Sequence, residues 1–488
     1  MTPGRLALTA LAVLLAGCAT APVYQRPLVT VPAQWTVQEP WRESAPNDSI
    51  ARGPWWQRFG DPQLNTLQEQ AMAASPTLAV AAARLAQARS QVDAASAGLF
   101  PQLSLSSRLA RQRISANRPL TNSTAPNSTP LQNDYALSFG VAYEADLWGR
   151  VQGGVDVARA SAQQSTADFE NVRLVLASDL AANYFNLRQL DIELDVLARS
   201  IALQRRALDL ATARHDLGAT SGLDVAQQQA LLDTTLTQVD VLRRQRSQFE
   251  HAIATLVGTP APLFALAAEA GPRIPPALPI GVPSDLLERR PDVASAERAV
   301  AAANAQIGIA RAAYYPSFTL NPAVGVDSNT LSRLFDAPSL LWSLGVSLAQ
   351  PLFDAGRVDA NVEFTRAAYD AAVGNYRRVV LTAMQEVEDG VSGSAALDRA
   401  LAQAQLAVAS AEKVLQLAND RYEGGVASYL DVISAQQSLL NAQRQAAQLL
   451  GQRLLVSVFL VKALGGDWQG MPAGGQGAAM PPPVAAGR

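Results

Sequence analysis

Cys18 is the only cysteine in 488 residues, and His215 and His251 are the only histidines. With no second cysteine there is no intramolecular disulfide, so packing must hold the chain together. No H-E-x-x-H, P-loop or G-x-S-x-G pattern occurs, and both histidines lie in long polar helical stretches. No catalytic residue, no metal site and no enzyme is therefore expected. The net charge is −3, from 39 basic and 42 acidic residues. That balance leaves no cationic footprint for a nucleic acid partner. Beyond residue 17 there is no run of about 18 apolar residues, which excludes a transmembrane helix but not a transmembrane strand. Glycine and proline are both missing from 155–217, and proline from 352–470.

What is present begins with a short charged start, an apolar stretch at Leu6–Leu15, and Leu15-Ala16-Gly17-Cys18. This reads as a secretory signal over 1–17, too short to span a bilayer. Its cut site resembles a bacterial lipobox. The resemblance implies cleavage before Cys18, with S-diacylglycerol and N-acyl (palmitate-type) lipid on that residue, and no other cofactor. Ala19 in the next position favours the outer membrane by the same resemblance.

The chain is internally duplicated. Arg214–Leu232 recurs as Arg421–Leu439 at an offset of 207 residues, and Ser75–Pro101 reads like Arg290–Pro316 at an offset of 215. The difference falls in a Ser/Asn/Thr/Pro-rich loop near Ile114–Asn133, as duplication with a local insertion produces. The boundaries follow: signal peptide 1–17, lipid-anchored segment 18–60, repeat one 61–258, linker 259–283, repeat two 284–465, and a flexible tail 466–488.

Each repeat holds two strand patterns, about 100–113 and 135–147, then 316–327 and 340–350. In Tyr135–Leu147 the residues Tyr135, Leu137, Phe139, Val141 and Tyr143 alternate with small or polar ones. Leu340, Trp342, Leu344, Val346 and Leu348 repeat that period of two, with Leu341 out of pattern. Two readings are open: membrane-crossing strands, or half-buried hairpins on a soluble sheet. The helices are long. The segment 155–217 alone corresponds to about 95 Å of α-helix. Its Leu176, Leu180, Tyr184, Leu187, Leu190, Leu194, Leu197 and Ile201 form a heptad seam that asks for partner helices. Leu397, Leu401, Ala404, Val408, Ala411 and Leu415 repeat it. Gly218 and the Gly424-Gly425 pair stop the long helices, and Leu223–Val257 and Leu430–Leu464 return. Four strands are too few for a membrane barrel of about eight or more, so a membrane location requires several chains.

These features together resemble the TolC-like outer membrane factors, and most of all the lipid-anchored OprM/NodT branch. The likeness rests on the lipobox, Pro54-Trp55-Trp56 with Phe59-Gly60-Asp61-Pro62, Asp285–Asp292, Asp146–Arg150, Pro351–Arg357, and the Gly-x-x-Ser-x-Leu-Asp-Val turns of both repeats. It implies a mostly α chain whose coiled-coil α-barrel adjoins four strands of a shared 12-stranded trimeric β-barrel. It also implies the exit duct of a tripartite efflux pump in the Gram-negative outer membrane. The implied partners are two further copies in a homotrimer, a periplasmic adaptor, an inner-membrane resistance-nodulation-division transporter, and outer membrane lipid. A lipid-anchored periplasmic scaffold and the duct of a type I secretion system are the alternatives. The family's aperture maps onto Asp224 and Asp431, with Arg214, Arg421 and Tyr422. Its adaptor contact maps onto Gly218, Gly424 and Gly425. Some relatives carry an acidic residue in the turn where this chain has Ala427. Each aspartate is equally an ordinary helix-start carboxylate favoured by the dipole. Arg243-Arg244-Gln245-Arg246 reads as a solvated helix face, Trp342 as part of an aromatic girdle, and Trp55 and Trp56 as packing anchors.

Overall fold

The structure, a computed structural model, describes residues 21–28, 54–113, 115, 131–271, 273, 276 and 290–466. The signal segment, Cys18, the tail beyond 466 and residues 285–289 lie outside the described residues. The elements in order are α1 (Pro62–Ala74), α2 (Pro76–Ala97), β1 (Gln102–Arg113), β2 (Leu131–Ala145), α3 (Arg150–Asp216) and α4 (Gly222–Leu256). Then follow α5 (Pro291–Ala312), β3 (Ser317–Leu320), β4 (Ala323–Ser328), β5 (Leu340–Ser343), β6 (Val346–Ala349), α6 (Arg357–Glu423) and α7 (Tyr429–Ala463). The absence of helix breakers matters here: α3 and α6 each run 67 residues, and α4 and α7 each run 35.

The chain divides into two compact units. One comprises Met1–Pro27, Leu85–Ser165 and Ala296–Tyr376; the other comprises Leu28–Arg84, Thr166–Ser295 and Arg377–Arg488. The first holds the sheet, which is antiparallel throughout. β1 pairs with β2 from Gln102↔Ala142 to Arg113↔Leu131. The other edge of β2 is shared by β3 and β4, which pair outward with β6 and β5. The two strands expected in repeat two are therefore each split. Pro322, which has no N–H to give the ladder, sits at one break; Leu344-Gly345 forms the other. Register survives both breaks: Phe139↔Val324↔Trp342 and Tyr143↔Leu320↔Val346 stay aligned. Pro322 O still accepts from Val141 N, and Gly345 O from Asn321 N.

An N-terminal arm lies along α5 in the same unit. Tyr24 Oη donates to Glu297 Oε1 at 2.9 Å, and Asn304 Nδ2 donates to Pro22 O at 2.9 Å. Arg26 Nε donates to the Tyr376 hydroxyl at 3.2 Å. Ala21 sits so close to Gly308 that a Cβ there would lie 2.6 Å from the Ala21 methyl. The arm thus runs antiparallel to α5, its N-terminal end toward the sheet.

The second unit is a helical bundle. Its core joins Leu176, Leu180, Tyr184 and Leu187 of α3 to Ile253 of α4, Val387 and Val391 of α6, and Leu454, Val458 and Leu460 of α7. Trp55 and α1 residues Leu64, Leu67 and Ala71 close one side. The seam continues through Leu190, Leu197, Leu242 and Leu440. In repeat two, among the seam positions Leu397–Leu415, only Ala404 is buried. α7 is long and apolar enough to cross a membrane by length and composition, with mean hydropathy 1.3. Its apolar side is spent on this core.

Two repeat-equivalent ion pairs tie the long helices to the returning ones. Arg246 Nε donates to Asp191 Oδ1 at 2.6 Å, and Arg453 Nε donates to Asp398 Oδ1 at 2.6 Å. The next donor is conserved in direction: Arg246 Nη1 reaches Glu250, and Arg453 Nη1 reaches Ser457. Arg246 is thus not on a solvated face; Arg243 and Arg244 are. Around Asp191 the first pair has grown into a network. Arg188, with its side chain 1% exposed, donates to Asp191 at 2.7 Å and to Ala267 O at 2.8 Å. Arg246 Nη2 holds Leu266 O, and Asp191 also accepts from Glu269 N. The start of the linker is therefore tied down by buried charge. Asp61 caps α1 by accepting from Gln63 N and Leu64 N, and its other oxygen accepts from Tyr184 Oη at 2.6 Å and Arg273 Nε at 3.1 Å. Burial alone would raise the Asp61 carboxyl, but the bonds from Tyr184, Leu64 N and Arg273 outweigh it and hold it below the ordinary range.

Asp191→Ala strands Arg188 and Arg246 without their carboxylate, a loss of about 3–5 kcal/mol for a broken buried pair. Asp398 is 42% exposed and its partner Arg453 7%, so Asp398→Ala leaves one buried guanidinium that keeps its Ser457 bond, where Asp191→Ala leaves two, and costs about 1–3 kcal/mol. Thermal unfolding followed by circular dichroism should show a larger drop for Asp191→Ala; equal drops would refute the buried network. The depressed Asp61 carboxyl contributes stability that is present above about pH 4 and lost as pH falls through its lower folded value. Asp61→Asn should flatten the acid limb of the stability curve in that window, and an unchanged limb would remove Asp61 from the account.

Candidate functional site

Two regions carry the residues that sequence reading singles out, one in each unit. In the first, the sheet has two chemically distinct faces. Leu103, Leu105 and Leu109 of β1 share a face with Tyr135, Leu137, Phe139 and Val141 of β2. Val324, Val326, Leu340 and Trp342 continue it across the register, as do Phe318, Leu320, Val346 and Leu348. Among the described residues nothing covers this face: Leu109 is 78% and Trp342 74% exposed. The opposite face presents Ser104, Ser106, Arg108, Ser138, Gly140, Thr319, Ser343 and Ser347. Its polar groups bond to one another: Ser106 Oγ and Ser138 Oγ are 2.8 Å apart, and Arg108 meets Asp134 at 2.5 Å. From Tyr135 to Ala145 the apolar face runs about 33 Å along the strand at ~3.3 Å per residue. Tilted near 40°, that becomes about 25 Å, the height of the apolar band on outer membrane barrels.

All four helix connections enter one end of the sheet. There Asp146 and Asp354 serve both repeats alike, accepting from Gln152 N at 2.7 Å and Val358 N at 3.0 Å at the starts of α3 and α6. Arg150 clasps Glu144 with two bonds, and Trp148 stacks on Tyr315 at 4.7 Å.

In the second unit, the hairpin tips are built by the same local chemistry twice. Gly218 and Gly425 both take φ 71°. Ala219 N then reaches back to Arg214 O, and Val426 N to Arg421 O, closing the exposed carbonyls of the helix end. Gly424 is not in the left-handed region; Gly425 alone stops α6. At the start of α7, the Asp431 carboxylate accepts from Ser428 N at 3.2 Å. Asp431 is exposed and Asp224, at the start of α4, is half-buried.

The tips also join the repeats. Tyr429 is buried and donates to Gln228 Oε1 at 2.9 Å, while Gln228 Nε2 donates to Gln204 O at 3.0 Å. Tyr422 packs on Tyr429 with ring centres 5.0 Å apart, and the Arg214 guanidinium lies over Tyr422 at 5.3 Å. Burial, then the neighbouring Tyr422 and the Asp224 carboxylate, push the Tyr429 hydroxyl up to about 12. Tyr422 and the Asp224 carboxylate thus act on Tyr429 directly, and Arg214 reaches it only by way of Tyr422. Arg421 has no side-chain partner among the described residues. Sequence reading missed Tyr429 and Gln228. The signal was available, since Tyr429 is a large apolar-bodied residue directly after a helix-capping serine.

Set against known proteins, residues 67–259 and 282–466 match the family model described as outer membrane efflux protein. The chain is 31% identical over 470 residues to the pyoverdine export outer membrane protein OpmQ of Pseudomonas aeruginosa, covering 96% of this chain and 98% of that one. It is 32% identical over 470 residues to the toluene efflux pump outer membrane protein TtgF of Pseudomonas putida, covering 94% and 96%. The fold is similar to the open state of the MtrE outer membrane channel of Neisseria gonorrhoeae, with TM-score 0.80 at 27% identity over 92% of this chain and 98% of that one.

Tyr429→Phe leaves Gln228 Oε1 buried without its donor, a cost of about 1–3 kcal/mol felt locally. Hydrogen exchange should quicken at 225–235 and 429–433 while the core around Leu180 keeps its protection. Exchange unchanged at the tips would mean the Tyr429–Gln228 bond does not join the repeats.

Proposed function

The chain belongs to the outer membrane efflux protein family, and from that premise we propose how its two-faced sheet and paired hairpins form the channel. It is the exit duct of a tripartite efflux pump, in the outer membrane of a Gram-negative bacterium and reaching into the periplasm, and it is a passive channel rather than an enzyme. Its family works with an adaptor and an inner-membrane transporter.

The observation that carries the rest is the sheet. A face of leucine, valine and aromatic side chains with no cover among the described residues suits lipid, and the serine and glycine face suits a water-filled bore. One strand edge, β1, and the other, β5 with β6, have no partner among the described residues. In lipid an unpaired edge costs several kcal/mol per group. Three chains edge to edge would supply twelve strands and remove every edge. In that homotrimer Asp224 and Asp431 contribute six carboxylates to the periplasmic mouth. Arg214 and Tyr422, bound to each other within one chain, hold the hairpins together there, while Arg421 is free to reach a neighbouring chain. The tips at Gly218 and Gly425 meet the adaptor, and the transporter is of the resistance-nodulation-division type. Cys18 carries S-diacylglycerol and an N-acyl chain as a second membrane attachment. The cargo is a small molecule; pyoverdine and toluene in the names of two relatives describe those proteins, and a wide polar bore suits a range of such solutes.

The test is assembly and conduction together. Native mass spectrometry of the detergent-purified protein should give a trimer, and planar bilayers should give stable channels. A stable folded monomer would overturn the shared barrel. Asp224→Asn with Asp431→Asn should lower cation preference, read as a shifted reversal potential under a salt gradient, as removing an acidic ring does. An unshifted potential would leave both aspartates as helix-start residues only. Cys18→Ser should abolish incorporation of labelled fatty acid.

A further inference from the structure

The end of the sheet remote from the helices carries two arginines on its apolar face. On β1, Arg111 and Arg113 alternate with Ala110 and Gln112 and so share the face of Leu103, Leu105 and Leu109. They stand two and four residues past Leu109, about 7 and 13 Å further along the strand. Their cross-strand neighbours are Asn133 and Leu131, neither of them acidic. Both arginines are exposed, and among the described residues neither has a carboxylate partner. Arg108, on the opposite face, is neutralised by Asp134 at 2.5 Å. Among the described residues the chain therefore pairs the cation on its polar face and leaves the two on its apolar face without a carboxylate. Arg333, also exposed, lies in the turn between β4 and β5 at this end.

The position is chemically informative. An arginine on a lipid-facing strand is costly at mid-bilayer and nearly free at the interface. Arg111 and Arg113 sit where the ~25 Å band has ended, at headgroup depth. A guanidinium there finds phosphate in a fork geometry that lysine cannot match. The helical end of the sheet faces the periplasm, so the arginine end faces the outer leaflet. We infer that Arg111 and Arg113 form a binding site for the phosphate groups of an outer-leaflet glycolipid, whose acyl chains lie against Leu109 and Tyr135. This rests on the sheet's apolar face being the lipid-facing one.

The test uses the full-length protein purified in detergent. It is titrated with bisphosphorylated lipid A or with its dephosphorylated analogue, and bound lipid is counted by native mass spectrometry. Wild type should prefer the phosphorylated lipid, and Arg111→Gln with Arg113→Gln should weaken it by about 30-fold, the effect of two basic residues beside anionic headgroups. Arg205→Gln with Arg206→Gln, on the exposed helical surface, should change nothing. Millimolar inorganic phosphate should fail to displace the lipid; ready displacement would mark a free-phosphate site and overturn the glycolipid assignment. Equal binding by wild type and the Arg111/Arg113 variant, or no preference for the phosphorylated lipid, would overturn it as well. Channel conductance of the same samples separates the two readings. Conducting wild type with indifferent lipid binding defeats this inference alone, whereas wild type that neither assembles nor conducts defeats the membrane reading beneath it.

Discussion

A backbone amide in lipid must find its partner inside protein, and the described residues of this chain do not provide all of them. β2 is satisfied on both edges; β1 and the β5–β6 strand are each satisfied on one. Everything else about the first unit is consistent with that deficit being met by other copies. The strands are long enough to cross the apolar layer, and their register is unbroken through Pro322 and Gly345. The uncovered face is the apolar one, whereas the polar face already bonds within itself. A soluble sheet would show the reverse, with its leucines beneath a helix and its serines in water.

The second unit solves a different problem, keeping very long helices in one register. Hydrophobic seams specify distance well and axial position poorly, because one leucine can replace another a turn away. The Arg246–Asp191 and Arg453–Asp398 pairs fix axial position, since a slip of one turn would separate charge from charge inside the bundle. The repeats have since diverged around this shared device. In repeat one the pair has recruited Arg188, Glu250 and the backbone at Leu266–Glu269. In repeat two it keeps a single serine neighbour, and its aspartate stands partly in water. The repeat with the better-buried seam is also the one with the larger charge network.

Much of this was legible in the sequence because it rests on periodicity. Strand alternation, the seam of α3, the glycine stops and the duplication are all repeats of spacing, and spacing survives without coordinates. What was not legible depends on which of several similar residues meets a distant partner. Arg246 sits in a cluster with Arg243 and Arg244, and nothing local says that it alone turns inward to Asp191. The Gly424-Gly425 pair offers two candidates for one left-handed position, and the chain uses the second. Tyr429 was hidden because its role is to join two repeats, through Gln228, across 201 residues. The splits in the second pair of strands follow from Pro322 and Gly345, which the alternation of their neighbours masks.

The arm along α5 has a geometric consequence. Tyr24 meets Glu297, Pro22 meets Asn304 and Ala21 meets Gly308, so each step toward Cys18 is a step toward the strands. Only two residues, Ala19 and Thr20, lie between Ala21 and Cys18, so the chain from one to the other reaches at most about 11 Å. Any group carried on that cysteine is thus leashed to α5, whatever path the two intervening residues take, by a tether shorter than two turns and a half of helix.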